Sequence, residues 1–118
     1  MRKIYYLKTC DTCKKILKQL PGLTSFELID IKTNPLNEEQ LEELYAHTKT
    51  YEGLINKRAQ LLKTEEWKGK LNTEADFKMA LLSHYTFLKR PVVLINKSIF
   101  IGNAKNTVTD LISFLENE

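Results

Sequence analysis

Ile4-Tyr5-Tyr6-Leu7-Lys8-Thr9-Cys10-Asp11-Thr12-Cys13-Lys14-Lys15 is the stretch on which the fold turns, because a short apolar run gives way within it to a charged, helix-like segment. The only two cysteines of the chain stand at that junction. Working outward, Lys3–Leu7 is rich in β-formers and predicts a strand, while Asp11–Leu20 carries Ile16, Leu17 and Leu20 at helical spacing. Pro21-Gly22 stops that helix. Phe26-Glu27-Leu28-Ile29-Asp30-Ile31 partly alternates and predicts a second strand. Strand, helix and strand in this order require parallel pairing, with the helix as the crossover.

Downstream, Asn34-Pro35 marks a turn and Asn37 begins a helix, with Glu38 and Glu39 suited to the positive end of its dipole. Leu41, Leu44 and Tyr45 give that helix an apolar stripe. From Thr50 to about Leu88 the chain is helical in tone, with Phe77, Leu81, Leu82, Tyr85 and Leu88 after an interruption. The texture then changes. Pro91-Val92-Val93-Leu94-Ile95, the turn Asn96-Lys97-Ser98 and Ile99-Phe100-Ile101 before Gly102 predict a β-hairpin. Thr107–Leu115 closes the chain as a helix with Val108, Leu111, Ile112 and Leu115 on one face. The expected architecture is α/β: a mixed four-stranded sheet flanked by helices, in a single domain over 1–118 with a helical insertion at about 37–88 between βαβ and ββα halves.

At 118 residues, 42% hydrophobic and 28% charged, the chain has the composition of one ordinary globular domain. Nothing near Met1 resembles a signal peptide, and no stretch approaches the roughly 20 apolar residues of a membrane span. The expected location is therefore cytoplasmic, where a CxxC pair points to redox or metal chemistry before a structural staple. The net charge of +3 is mild and the lysines are interspersed with acids, so neither a nucleic-acid groove nor a membrane surface is expected as partner. Only Arg2, Arg58 and Arg90 of the eighteen basic residues are arginine. A chain that spends lysine on generic charge keeps arginine for two-pronged hydrogen bonding, unless the bias is merely compositional.

Cys10 is placed beyond the carboxyl end of the first strand and at the start of the first helix. Unpaired N–H groups and the helix dipole there favour a thiolate and lower the cysteine pKa. Cys10 is thus the expected nucleophile, and Cys13, one turn on, the thiol that reaches back to resolve an adduct. Lys8, Lys14 and Lys15 add positive charge and Asp11 opposes it. The alternatives are two passive, half-buried thiols or half of a zinc site. Zinc needs two further ligands, and His47 and His84 lack the spacing to supply them. Both histidines read as helix-surface or locally satisfied residues, and Trp67 and Tyr85 as packing anchors.

A second constellation is Phe87-Leu88-Lys89-Arg90-Pro91-Val92-Val93. A proline opening a strand donates nothing to the ladder and often occupies a tight turn, cis or trans. Arg90 beside it reads either as a surface arginine or as a guanidinium aimed toward Cys10. Arg58, in Leu54-Ile55-Asn56-Lys57-Arg58, reads on pattern alone as a solvated helix end or as a ligand-binding group.

The chain resembles the arsenate reductase/Spx family, a branch of the thioredoxin-like fold. The resemblance rests on Tyr-x-x-x-x-Cys-x-x-Cys at 5–13, Leu-Ile-Asn-Lys-Arg at 54–58, and Leu-Lys-Arg-Pro-Val-Val at 88–93 leading to Ile-Gly at 101–102. It implies an oxyanion site in which Cys10 matches the nucleophile and Arg58 and Arg90 the anion-binding arginines, with Pro91 as the structural proline facing the thiol. It also implies no bound cofactor, with glutathione or another thiol as reductant and glutaredoxin or thioredoxin as partner. Two departures stand out. The family's third arginine falls here at Asn103, which carries no charge, and Cys13 replaces a non-thiol residue of the glutathione-coupled reductases. Losing one guanidinium of three removes roughly a few kcal/mol of charge stabilisation.

Three readings follow from the resemblance. The first is a thiol–disulfide oxidoreductase related to arsenate reductase, with Cys10 attacking, Cys13 resolving, and Arg58 and Arg90 holding an anionic substrate. The alternative is an Spx-type redox-sensing transcription regulator that binds RNA polymerase and uses the CxxC as a switch. A degenerate member with idle thiols is the third.

Overall fold

The computed structural model describes all 118 residues. Two compact units divide the chain: residues 1–34 together with 90–118, and residues 35–89.

The first unit holds one four-stranded sheet in the order β2-β1-β3-β4, built from β1 (Arg2–Tyr6), β2 (Glu27–Asp30), β3 (Val92–Ile95) and β4 (Ser98–Ile101). β1 pairs with β2 in parallel and with β3 antiparallel, and β3 pairs antiparallel with β4. This is the mixed sheet that the βαβ and hairpin patterns require. Every residue of central β3 is buried, as expected for a continuous apolar run, whereas no residue of edge strand β4 is.

Pleating sorts the side chains by register. Ile4, Val93, Ile95 and Phe100 share one face. On that face they meet Ile16, Leu17 and Leu20, from α1 (Asp11–Gln19) and its cap, and Leu111 and Leu115 of α4 (Lys105–Glu116), with Phe26 closing the cluster. Tyr5, Val92 and Leu94, also fully buried, lie on the opposite face. Arg2 reaches across its edge to Glu118, at 2.5 Å, and lies over the Phe26 ring. At the hairpin, Asn96 adopts a φ of 53°, a left-handed conformation that asparagine tolerates. Ser98 already pairs with Ile95, so the turn is shorter than the sequence pattern suggested.

In the second unit, α2 (Glu38–Thr48) starts on a reciprocal capping box between Asn37 and Gln40, and α3 (Glu74–Ser83) on another between Thr73 and Asp76. Between them the helical tone of the sequence resolves into short 3-10 turns at Glu52–Leu54 and Gln60–Lys63, followed after α3 by a third at Tyr85–Phe87. Polar side chains interrupt longer helices here: Asn56 Oδ1 accepts from the Arg58 N–H, and Thr64 Oγ1 donates to the Leu61 carbonyl. Gly69, at a φ of 72°, supplies a left-handed break. Leu54–Asn56 is clasped to Phe87–Lys89 by the Ile55–Leu88 bridge and by two backbone bonds of 2.7 and 2.8 Å. Trp67 packs edge-on against Phe87, in keeping with an anchoring role. His84 Nδ1 lies 2.9 Å from Thr86 Oγ1 and His47 Nδ1 2.9 Å from the Glu43 carbonyl, so both histidines are locally satisfied. No helix is long and apolar enough to cross a membrane.

Candidate active site

The site forms where three chain segments reach the carboxyl end of β1. Leu7–Cys10 is a tight turn closed by the Cys10 N–H on the Leu7 carbonyl at 3.0 Å. It delivers Cys10 to the N-cap of α1, in extended conformation, and the Cys10 carbonyl accepts the first helical bond from Lys14 at 3.1 Å. Cys13, Ile16, Leu17 and Leu20 form the buried stripe of the helix. The spacing that anchors α1 thus buries Cys13 completely and leaves Cys10 partly exposed one turn earlier. Both sulfurs are free thiols.

The antiparallel register brings the second segment to the same place. Tyr5 pairs with Val92, so Pro91 and Arg90 extend past the end of the ladder beside Tyr6 and Leu7. The Arg90-Pro91 peptide is cis, deciding between the two isomers the sequence allowed. Pro91 is buried and Arg90 half-buried, with its Nε shielded from solvent. The Gly102 N–H donates to the Pro91 carbonyl at 2.9 Å, which carries the third segment, Gly102-Asn103, to this end of the sheet. Gly102 has a φ of 90°, a conformation side-chain-bearing residues rarely adopt. Asn103 is exposed.

The two thiols are driven apart. Burial works against ionising Cys10, but the backbone amides of Cys13 and Thr12, the Cys13 thiol and the Arg90 guanidinium together outweigh it, and its pKa falls below the ordinary value of 9.0. The sulfur makes no close capping hydrogen bond, so these amides act on it as oriented dipoles. For Cys13 burial dominates. Against a backbone hydrogen bond from Leu7, and with the Cys10 charge adding to the effect, it pushes the thiol up to about 11. The arrangement is a Cys13 S–H donating to a Cys10 thiolate. Arg90 is the cation that acts on this pair, while Lys8, Lys14 and Lys15 are exposed and screened by water.

A titration follows. Alkylation rate against pH should show Cys10 reacting as a thiol of depressed pKa, and Arg90→Ala should move that profile upward because a neighbouring positive charge is lost. A profile unchanged by the substitution would remove Arg90 from the electrostatics of the site. Cys13 has a stability signature. Its folded pKa lies above the unfolded value, so its contribution is full below about pH 9 and is lost as pH rises toward about 11. Over that range the loss is on the order of 2–3 kcal/mol. Denaturant titrations of the reduced protein should show that loss, and Cys13→Ala should flatten it.

Of the expected site residues, the first unit gathers Cys10, Cys13, Arg90 and Pro91. Arg58 belongs to the second unit, exposed in the turn that follows Asn56, not at a helix end. The sequence reading passed over Asp30. This last residue of β2 pairs with Tyr6, and its Oδ1 accepts from the Lys8 and Lys32 N–H groups, both at 3.3 Å. The run Asp30-Ile31-Lys32-Thr33-Asn34 gives only a turn signal. No cluster of three or more His, Cys, Asp or Glu side chains suited to a metal ion is present.

The ArsC family model matches residues 5–111, from the end of β1 into α4. The chain belongs to the ArsC family. Among solved structures, the arsenate reductase from Vibrio cholerae is similar, with a TM-score of 0.75 at 18% identity, covering 93% of this chain and 96% of that one. A "possible arsenate reductase" from Streptococcus mutans gives 0.72 at 23% identity, covering 94% and 97%. A protein from Staphylococcus aureus COL gives 0.70 at 24%, covering 93% and 97%. At such identities these likenesses establish the ArsC thioredoxin-like fold. No curated protein sequence matches the chain.

Proposed function

We propose that this ArsC-family chain is a thiol–disulfide oxidoreductase acting on an anionic substrate. The observation that carries the reading is a pair of free thiols one helical turn apart, Cys10 partly exposed at the N-cap of α1 and Cys13 buried, beside the half-buried Arg90 guanidinium, a setting that drives their ionisations in opposite directions. The Cys10 thiolate attacks a substrate sulfur, and the substrate's other sulfur leaves as a thiolate that takes up a proton from water. Once Cys10 is bound in the mixed disulfide it no longer carries charge, so the repulsion and the S–H bond that hold the Cys13 proton both vanish. Cys13 then loses its proton more readily and attacks Cys10, releasing the second substrate thiol and leaving a Cys10–Cys13 disulfide. Two electrons have passed to the substrate. Glutathione or a protein dithiol of the glutaredoxin or thioredoxin type restores the reduced pair by the reverse exchange.

Arg90 supplies a fork for a carboxylate or a tetrahedral oxyanion. With Asn103 where the resemblance puts a third arginine, disulfides of carboxylate-bearing thiols suit the site better than arsenate, whose charge calls for more guanidinium groups. Arg58 enters on its motif position. Reduction of glutathione-mixed disulfides and of arsenate, each supplied with glutathione and glutaredoxin, tests the reading on wild type, Arg58→Ala and Arg90→Ala. Disulfide turnover that falls in Arg90→Ala supports it, and a fall in Arg58→Ala brings Arg58 into the same role. Absence of turnover, with RNA polymerase retained from lysate by one redox form only, supports the Spx-type regulator instead.

A further inference from the structure

The backbone turn that presents Cys10 is held from outside by a carboxylate. In Leu7–Cys10 the closing hydrogen bond uses the Cys10 N–H and the Leu7 carbonyl, leaving the Lys8 N–H without a place in the turn's own bonding. Asp30 Oδ1 accepts that N–H across the end of the parallel β1–β2 pair. The same oxygen accepts from Lys32, the other carboxylate oxygen receives the Thr33 hydroxyl at 3.4 Å, and the Asp30 carbonyl accepts from Asn34 at 2.8 Å. Next to it the Ile31 N–H donates to the Tyr6 carbonyl at 3.0 Å. Asp30 thus braces its own loop and uses the braced carboxylate to fix the second residue of the cysteine turn.

We infer that Asp30 is a positioning residue for Cys10, holding the Leu7–Cys10 turn so that the sulfur stays in register with the Thr12 and Cys13 amides. This rests on the oxidoreductase reading of the same site. The electrostatic sign separates it from a charge effect. A carboxylate near a thiol disfavours the thiolate, so removing its charge alone would make Cys10 more acidic and faster to alkylate. Loosening the turn acts the other way, because the amide dipoles lose their aim on the sulfur.

The test is iodoacetamide alkylation of Cys10 against pH in the reduced 118-residue chain, carrying Cys13→Ser so that one thiol reports. Wild type at position 30 is compared with Asp30→Ala and Asp30→Asn. The expected result for Asp30→Ala is a profile displaced to higher pH, with alkylation at pH 6 slowed at least about threefold as the thiolate fraction falls. Asp30→Asn keeps an oxygen acceptor for Lys8 without the charge and should restore the rate to the parent value or above. A denaturation midpoint measured on each variant shows that the folded form is being titrated. If Asp30→Ala unfolds, Asp30→Ser, which removes the reach to Lys8 with a smaller change in polarity, takes its place under the same expectation. An Asp30→Ala profile that is unmoved or displaced to lower pH overturns the positioning role. Alkylation needs no physiological substrate, so this failure is distinct from failure of the parent reading, which shows as absent disulfide turnover in wild type.

Discussion

Cys10→Ser should reduce disulfide turnover by on the order of 10³-fold or more, to the level of the uncatalysed exchange. Everything gathered at the end of β1 acts on one sulfur: the N-cap position, the two amides, the Cys13 S–H and Arg90. A hydroxyl in its place stays protonated at neutral pH and is a poor nucleophile toward sulfur, so binding survives while chemistry stops. Cys13→Ser should behave differently. Attack proceeds, resolution does not, and a one-to-one mixed disulfide accumulates on Cys10. Intact mass of the quenched reaction distinguishes the cases, with no adduct on Cys10→Ser, a stable adduct on Cys13→Ser, and an internal disulfide two hydrogens lighter in wild type. Equal turnover in all three proteins would sink the mechanism.

Ile4→Ala should destabilise the protein by about 2–5 kcal/mol, a large part of the roughly 5–15 kcal/mol typical of a domain. Ile4 is fully buried on a strand with neighbours on both sides, in the cluster that joins the sheet to α1 and α4. Truncation loses the transfer free energy of the removed atoms and leaves a cavity that two hydrogen-bonded neighbours keep from collapsing. Leu28→Ala, on edge strand β2 where the side chain is 43% exposed, should cost no more than about 0.5 kcal/mol. Urea unfolding midpoints at constant slope provide the comparison. Similar losses for the two variants would mean that the sheet face covered by α1 and α4 is not the stabilising core of this unit.

The two predictions share a structural cause. The α1 stripe that packs in the Ile4 cluster fixes the helix whose N-cap is Cys10. A stable sheet is the mount for the thiol, and an Ile4→Ala protein that remains folded should keep a Cys10 alkylation profile close to wild type.

Much of this was legible from local pattern because the forces involved are local. Apolar spacing marked α1, the parallel pair and the hairpin, and the CxxC at a strand–helix junction marked the thiols. The long segment after α2 was less legible. Asn56 and Thr64 bond to nearby backbone and replace helical ladders with 3-10 turns, a competition hydrophobic spacing does not reveal. Asp30 escaped notice for another reason: its partner, Lys8, lies 22 residues away and is joined through a backbone N–H that every non-proline residue possesses.

The sequence by itself determined which residues form the strands of a mixed sheet, and that two cysteines would share one turn of a helix at its start. Periodicity and spacing are properties of consecutive residues, and they suffice for both. Only the tertiary structure decided that Arg90, eighty positions from Cys10, acts electrostatically on both sulfurs, that one thiol is acidic while its neighbour is pushed up to about 11, and that Asp30 braces the turn between them and the sheet. Those outcomes depend on burial and on strand register, which pairs Tyr5 with Val92 and Tyr6 with Asp30, and register is set by the packing of the whole sheet.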